Sequence, residues 1–339
     1  MSRDTISPEL PDVFGAAVAP VERAIPPEAF APHPARPAPV PVPRRRRRGE
    51  SSGGLGTLRP GTIVDKYRIE ELLGVGGFAA VYRATHLLLH STVALKLLRP
   101  DVVARRPGLA TQLLQEARFA ARIEHPNVVR VLDVTHTAAI TYIVMEFIRG
   151  PSLARVLADH GRLPEENVAR IGLDTIAGLQ AGLAQGLIHR DIKPPNILLS
   201  DVGVARIVDL GLANPIDDSD HGPLRDSTVI GTRGYMSPEQ IAAPRAVDFR
   251  SDIYSLGVTL REAATGEPPS RTRAADEPAP SLSPVFARLV SWMVAPDREG
   301  RPRSYRELRE ALEPISNGAP TRPVDTGSMQ SSRNHEEKR

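Results

Sequence analysis

Asp191, Lys193 and Asn196 stand together in the stretch His189-Arg190-Asp191-Ile192-Lys193-Pro194-Pro195-Asn196, and Asp209 follows thirteen residues after Asn196. An amide oxygen and a carboxylate at this spacing can share Mg²⁺, a hard cation that takes oxygen ligands. Mn²⁺ accepts the same donors. Asp191 is then a third group, free to accept a proton from an attacking hydroxyl. Upstream, Lys96 closes the segment Val93-Ala94-Leu95-Lys96, and Glu116 lies one turn into a stretch of helical spacing. A Lys96–Glu116 pair would fix an ammonium where it can meet α- and β-phosphate oxygens. Ahead of both runs Leu73-Gly74-Val75-Gly76-Gly77-Phe78-Ala79-Ala80-Val81, a glycine turn whose backbone N–H groups can approach phosphates closely. Such a set supplies charge neutralisation and in-line positioning, which is most of what phosphoryl transfer asks of a protein.

Positioning these groups requires strands and helices of recognisable pattern. Order is expected to begin near Tyr67. Residues 67–99 read as three strands: two short apolar runs around the glycine turn, then a β-branched-led run ending at Lys96 and its neighbours. Thr111–Ile123 has helical spacing, with Leu113, Leu114, Ala117, Ala120 and Ala121 as its stripe. Val128–Val134 and Thr141–Phe147 read as further strands. Beyond Gly150 the character changes to helix, with Asn167–Ala184 the strongest, its Val168, Ile171, Ile176, Leu179 and Leu183 in register. Short strands at Ile197–Leu199 and Ala205–Val208 precede helices at 252–264, 284–294 and 304–312. A strand-rich half followed by a helix-rich half predicts an α+β fold of two lobes with a cleft between them.

In this order and spacing, the motifs resemble those of the eukaryotic-like (Hanks-type) bacterial serine/threonine protein kinases. The likeness runs from about Tyr67 to Leu312 and rests on GVGGFAAV, VALK, Glu116, HPNVV, VMEFI, HRDIKPPN, DLG, GTRGYMSPEQ, SDIYSLGVTL and Arg301-Pro302. It implies a bilobal kinase-like fold, a small mostly antiparallel lobe with one helix and a larger helical lobe. It implies that Leu73 to Ala79 cover the phosphates of ATP and that Lys96 touches them, steadied by Glu116. Val81, Ala94 and Leu198 sandwich the adenine in this reading. Glu146 and Ile148 offer it main-chain groups, and Met145 is the gatekeeper. Asp191 becomes the catalytic base, Lys193 a contact to the γ-phosphate, and Asn196 with Asp209 the metal ligands. Glu239 pairs with Arg301, and Asp252 is a buried structural aspartate that orients the backbone at His189 and Arg190. The style of the catalytic loop implies protein Ser or Thr hydroxyls as acceptors. Arg190 beside Asp191 implies a phosphate on the activation segment, at Ser227 or Thr228, while Thr232 contacts Asp191 and Lys193. Relatives of this type often pair through their N-lobes, so a homodimer of that kind is an expectation. Three departures stand out: Ala79 in place of a third glycine, Leu210 in the metal-binding triplet, and a Pro-, Ala- and Arg-rich segment between Pro268 and Pro284 where the family has an extra docking helix.

Composition bounds the rest. The chain has 339 residues, 41% hydrophobic, with a formal net charge of +3 and no cysteine. That excludes disulfides, thiolate catalysis and Cys-ligated metal, and the small net charge demands no nucleic-acid partner. Neither a signal-peptide core nor a run long enough for a membrane span is present, which predicts a cytoplasmic protein. Residues 1–60 read as a disordered Pro-rich tail, 61–314 as the kinase-like domain and 315–339 as a polar tail. The run Arg44 to Arg48 is either a solvated linker charge or a grip on nucleic acid, acidic membrane or an acidic protein. Two other functional classes compete: a pseudokinase scaffold, which should lose one of Lys96, Asp191 or Asp209, and a binding protein working through its tails.

Overall fold

The computed structural model describes residues 57–105, 107–137, 140–209, 233–243, 246–269 and 280–318. Alternation between apolar positions builds the first half. Strands β1 (Ile63–Val64), β2 (Tyr67–Val75), β3 (Ala79–His86), β4 (Thr92–Leu98), β5 (Val131–His136) and β6 (Thr141–Glu146) form one antiparallel sheet in the order β1-β2-β3-β4-β6-β5. Successive side chains of a strand leave on opposite faces. Ala94, Ile143 and Met145 therefore join one cluster with Leu98, Leu113, Ala117 and Ile148, while Leu95, Tyr142 and Val144 join another with Tyr67, Ile69 and Tyr82. The first cluster is closed by α1 (Pro100–Arg105) and α2 (Pro107–Ala120).

The second half is helical. Helix α3 (Leu153–His160) starts at Ser152, whose hydroxyl accepts the Arg155 N–H. It is followed by α4 (Glu165–Ala184), the two-stranded ribbon β7 (Ile197–Leu199) and β8 (Ala205–Ile207), and α5 (Pro238–Ala242). Helices α6 (Arg250–Thr265), α7 (Pro284–Met293) and α8 (Tyr305–Ser316) complete the lobe. Most residues of α6 are buried, so it forms the spine of this lobe, with Ile253, Leu256 and Leu260 packed among Ile171, Ile176, Phe286, Met293, Leu308 and Leu312. A helix buried all round needs no polar face.

The fold agrees with the expected two-lobed kinase-like architecture and corrects several details. A strand, β1, precedes the three that were expected, and order is described from residue 57 rather than from near Tyr67. The N-lobe has two helices instead of one, because Pro100 opens a short helix of six residues, too brief for a periodic pattern. The helix read at Thr111–Ile123 is α2, shifted to start at Pro107. The strand read at Val128–Val134 begins only at Val131; Val128 instead makes a parallel bridge to Ile207 of β8. Helices α3 and α5 were not anticipated. Of the divergent segment between Pro268 and Pro284, residues 270–279 lie outside those described.

Candidate active site

Asp191, Lys193, Asn196 and Asp209 sit on short segments pinned by buried residues of the helical lobe. The loop after α4 carries His189 to Asn196. Its main chain is held by Asp252 of α6, whose two carboxylate oxygens accept the N–H of His189 at 2.8 Å and of Arg190 at 2.7 Å. Burial pushes the Asp252 carboxyl up, opposed by His189 and these two backbone hydrogen bonds. Gln240 of α5 donates to the Arg190 carbonyl at 2.8 Å. So fastened, Arg190 adopts φ 64°, a left-handed conformation that is costly for a residue with a side chain. His189 donates Nε2–H to the Val208 carbonyl at 2.8 Å and accepts the Asp191 N–H on Nδ1. One imidazole thus ties the loop to the segment bearing Asp209.

Asp191 is consequently presented in a fixed attitude. Its Oδ2 forms an ion pair with Lys193 Nζ at 2.9 Å and accepts a hydrogen bond from Asn196 Nδ2 at 2.9 Å. Asn196 Nδ2 also donates to the Asp191 carbonyl at 2.8 Å. With both amide hydrogens spent on Asp191, the Asn196 side-chain oxygen is the atom it can offer to something else.

Asp209 follows β8 with φ 59°. Its Oδ1 lies 2.8 Å from Lys96 Nζ, an ion pair joining the two lobes. The alignment is not that of a hydrogen bond, and Oδ1 is buried with no hydrogen-bond donor. A buried carboxylate oxygen in that condition is suited to a cation. Lys96 is interior to β4, opposite Val81 and Ile143, and only 14% of its side chain is exposed. This corrects its expected place at a strand end. Among the described residues no group of three or more His, Cys, Asp or Glu side chains converges. The available donor set is the Asn196 amide oxygen and the Asp209 carboxylate. Such a hard, sparse set fits Mg²⁺, which fills its remaining positions with water and substrate phosphates.

Apolar side chains of the two lobes also pack together. Val81, Ala94, Met145, Ile148 and Leu198, from both lobes, belong to one cluster. The Ile148 N–H donates to no backbone carbonyl among the described residues, whereas the Glu146 N–H is engaged with the Arg130 carbonyl at 3.0 Å. The glycine turn closes through Gly76 N–H to the Ala79 carbonyl at 2.8 Å, and Leu73, Val75 and Phe78 are exposed along it. Gly74, Gly76 and Gly77 all avoid positive φ. A Cβ on Gly74 or Gly77 would meet nothing within 4 Å, which leaves their faces open to close approach. Ala79 is buried and registers with Leu98, so its methyl belongs to the sheet rather than to the turn.

Glu239 and Arg301 form a bidentate pair at 2.6 and 2.9 Å. The Arg301 guanidinium also donates to the carbonyls of Ala295, Arg250 and Pro296, which satisfies all five of its N–H groups. Burial pushes Glu239 up, but the hydrogen bonds from Arg301 and Ser251 prevail and hold it at about 2. The Glu116 side chain, Leu210, Ser227, Thr228 and Thr232 lie outside the described residues. Sequence reasoning missed Arg99, which donates its N–H to the Phe78 carbonyl at 2.9 Å and a guanidinium N–H to the Gly77 carbonyl at 3.4 Å. It also missed Gln240, although Ser237 three residues earlier signals the capping box in which Gln240 takes part.

With the geometry established, the likenesses to known proteins become informative. The family model described as "Protein kinase domain" matches residues 67–310. Serine/threonine-protein kinase PknB of Mycobacterium tuberculosis is 35% identical over 280 residues, which cover 77% of this chain and 44% of that protein. PknB of Mycolicibacterium smegmatis is 34% identical over 284 residues, covering 78% and 45%. The chain thus spans under half the length of these curated relatives. The crystal structure of the Mycobacterium tuberculosis PknI kinase domain superposes with a TM-score of 0.61 at 26% identity, covering 77% of this chain and all of that one. The resemblance read from the motifs is borne out, and the chain belongs to the protein kinase domain family.

Proposed function

We propose that this chain is an ATP-dependent protein kinase that transfers the γ-phosphate to Ser or Thr hydroxyls of proteins. Membership of the family implies ATP and a divalent metal ion, and the curated relatives named above are serine/threonine kinases. The observation that carries the reading is the meeting of Asp191, Lys193 and Asn196 in one group held by an ion pair and hydrogen bonds, joined through His189 and Val208 to the segment where Asp209 pairs with Lys96.

In the mechanism that follows, Asp191 Oδ2 is held by Lys193 and Asn196, and Oδ1 accepts the proton of the attacking hydroxyl. Lys193, beside that carboxylate, faces the transferring γ-phosphoryl group, and Lys96 holds the α- and β-phosphates. The Asn196 amide oxygen and Asp209 would hold Mg²⁺, with Mn²⁺ the alternative; when bound, the ion neutralises charge developing on the phosphate oxygens. The exposed apolar edge of Leu73, Val75 and Phe78 covers the phosphates, Val81, Ala94 and Leu198 enclose the base, and the Ile148 N–H and the Glu146 carbonyl orient it beside Met145. Glu116 steadies Lys96. Glu239, Arg301 and Asp252 are structural supports. Arg190 receives a phosphate placed on Ser227 or Thr228, and pairing through the N-lobes is part of the same reading. No described helix is long and apolar enough to cross a membrane, which fits a cytoplasmic kinase whose Arg44 to Arg48 run meets an acidic partner.

The test is incubation of the purified chain with γ-labelled ATP, Mg²⁺ or Mn²⁺ and a basic acceptor protein, followed by mass-spectrometric site mapping. Label on Ser and Thr, including Ser227 or Thr228, is the expected result. Nucleotide binding without any transfer would make the chain a scaffold instead.

A further inference from the structure

We propose that Arg206 is a positioning residue for nucleotide binding, acting by locking the segment that joins the lobes onto the floor of the base pocket. The proposal rests on the ATP-binding reading above. Arg206 is the middle residue of β8, between buried Ala205 and Ile207, and its cross-strand partner on β7 is Leu198. Paired residues of an antiparallel ribbon share a face. The stem of Arg206 therefore runs beside the leucine that packs into the pocket cluster.

Its guanidinium reaches the other lobe. Nη1 donates to Glu146 Oε2 at 3.1 Å, where β6 ends. The second Glu146 oxygen accepts the Arg130 N–H at 2.9 Å. A single carboxylate thus joins the end of β6, the approach to β5 and the ribbon strand that leads to Asp209. About a quarter of each side chain is exposed, 27% for Arg206 and 26% for Glu146, so water screens the pair only in part. Arg206 also keeps Nε buried without an acceptor among the described residues. A buried donor left unmade is unfavourable, which argues that the side chain is retained for the geometry it enforces.

The rest of β8 is secured independently. Asn127 donates to the Ala205 carbonyl, Asp174 accepts the Ala205 N–H, and Ile207 bonds through both backbone groups to Asn127 and Val129. Asp191, Lys193 and Asn196 are pinned through Asp252 and Gln240, not through Arg206. Loss of Arg206 should therefore free the joining segment relative to Leu198 and leave the transfer groups in place. The effect belongs to ATP affinity rather than to the rate of transfer.

The experiment uses the full chain, with Mg·ATP titrated calorimetrically and steady-state transfer to an acceptor protein measured in parallel. Arg206→Met is expected to raise both the Kd and the KM for ATP about fivefold, with kcat at saturating ATP unchanged. Arg206→Lys, which keeps a cation near Glu146, should recover most of that affinity. Glu146→Gln should weaken ATP similarly, and the double variant should be no weaker than either single one. Wild-type ATP affinity in Arg206→Met, a fall in kcat alone, or additive losses in the double variant would overturn the proposal. Should Arg206→Met fail to fold, wild-type affinity in Glu146→Gln overturns it equally. A wild-type chain that binds no Mg·ATP removes the functional reading itself, and this inference with it.

Discussion

A single carboxylate illustrates how residue chemistry is set by its neighbours here. Asp191 cannot wander, because one of its oxygens is shared by Lys193 and Asn196. Glu239 and Arg301 show the same logic in a structural pair. Arg301 is almost fully buried and all its donors are used, so removing its carboxylate leaves an uncompensated cation inside the lobe. Glu239→Gln is expected to cost about 3–5 kcal/mol of stability, read from urea unfolding. A change below about 1 kcal/mol would show the pair to be solvent-relieved. The pairing of Glu239 with Arg301 was legible from the order of motifs, as was Asp252, since both are fixed partners within the fold. The Lys96–Asp209 contact was not legible, because both residues had been assigned to other partners and no pattern in the text measures distance across a cleft.

At the level of elements, helix α4 and the segment Asn127 to Val129 decide where β8 lies. A Cβ on Gly178 would stand 2.7 Å from the Asn127 carbonyl oxygen, closer than any real contact. That glycine therefore sits within a helix, despite its poor propensity, to let the backbone come near. Gly178→Ala should destabilise the chain by about 1–3 kcal/mol, because the clasp on β8 must move. A melting temperature equal to wild type would refute the contact. Asp252 acts on the other side of the site. Replacing it by Asn leaves one acceptor for two backbone donors. Hydrogen exchange in a peptide spanning residues 186–192 should accelerate, with activity falling about tenfold. Exchange at the wild-type rate would mean that the loop is held by something else. The long amphipathic helices and alternating strands could be read because each repeats a period over several turns or pleats. The bridge at Val128 looked like strand text because local pattern does not distinguish a ladder from a single clasp. Short α1 offers too few turns for a stripe, whereas α3 carries Leu153, Val156 and Leu157 at helical spacing and was legible in the text.

Across the whole molecule, two partly buried carboxylates act on stability with opposite sign. Glu239 is held at about 2, below its ordinary 4.5, so its contribution is complete above pH 4.5 and fades as pH falls toward 2. Asp174 is pushed up by burial to about 6 from 3.8, against hydrogen bonds from Ala205 and Asn127. Its ionisation therefore opposes folding above pH 6, and that penalty is relieved as pH falls from about 6 toward 4. Melting temperatures should hold or rise slightly between pH 6 and 4.5 and drop below that. In Asp174→Asn the rise should shrink while the acid drop remains; a variant curve parallel to wild type throughout would contradict the assignment. The two-lobed plan itself was readable from the shift of strand-rich to helix-rich text. What joins the lobes was not, since Arg206 meets Glu146 and Lys96 meets Asp209 only after folding.

At the centre of the proposed function is the service of one bound nucleotide by Lys96, Asp191, Asn196 and Asp209. It is tested most directly by measuring Mg·ATP binding and phosphate transfer side by side in the wild type and in Asp191→Asn. ATP affinity within about twofold of wild type and transfer slower by about 10²–10⁴-fold are expected, because the proton acceptor alone is lost. Transfer at the wild-type rate in Asp191→Asn, or a wild-type chain indifferent to ATP and divalent metal, would contradict it.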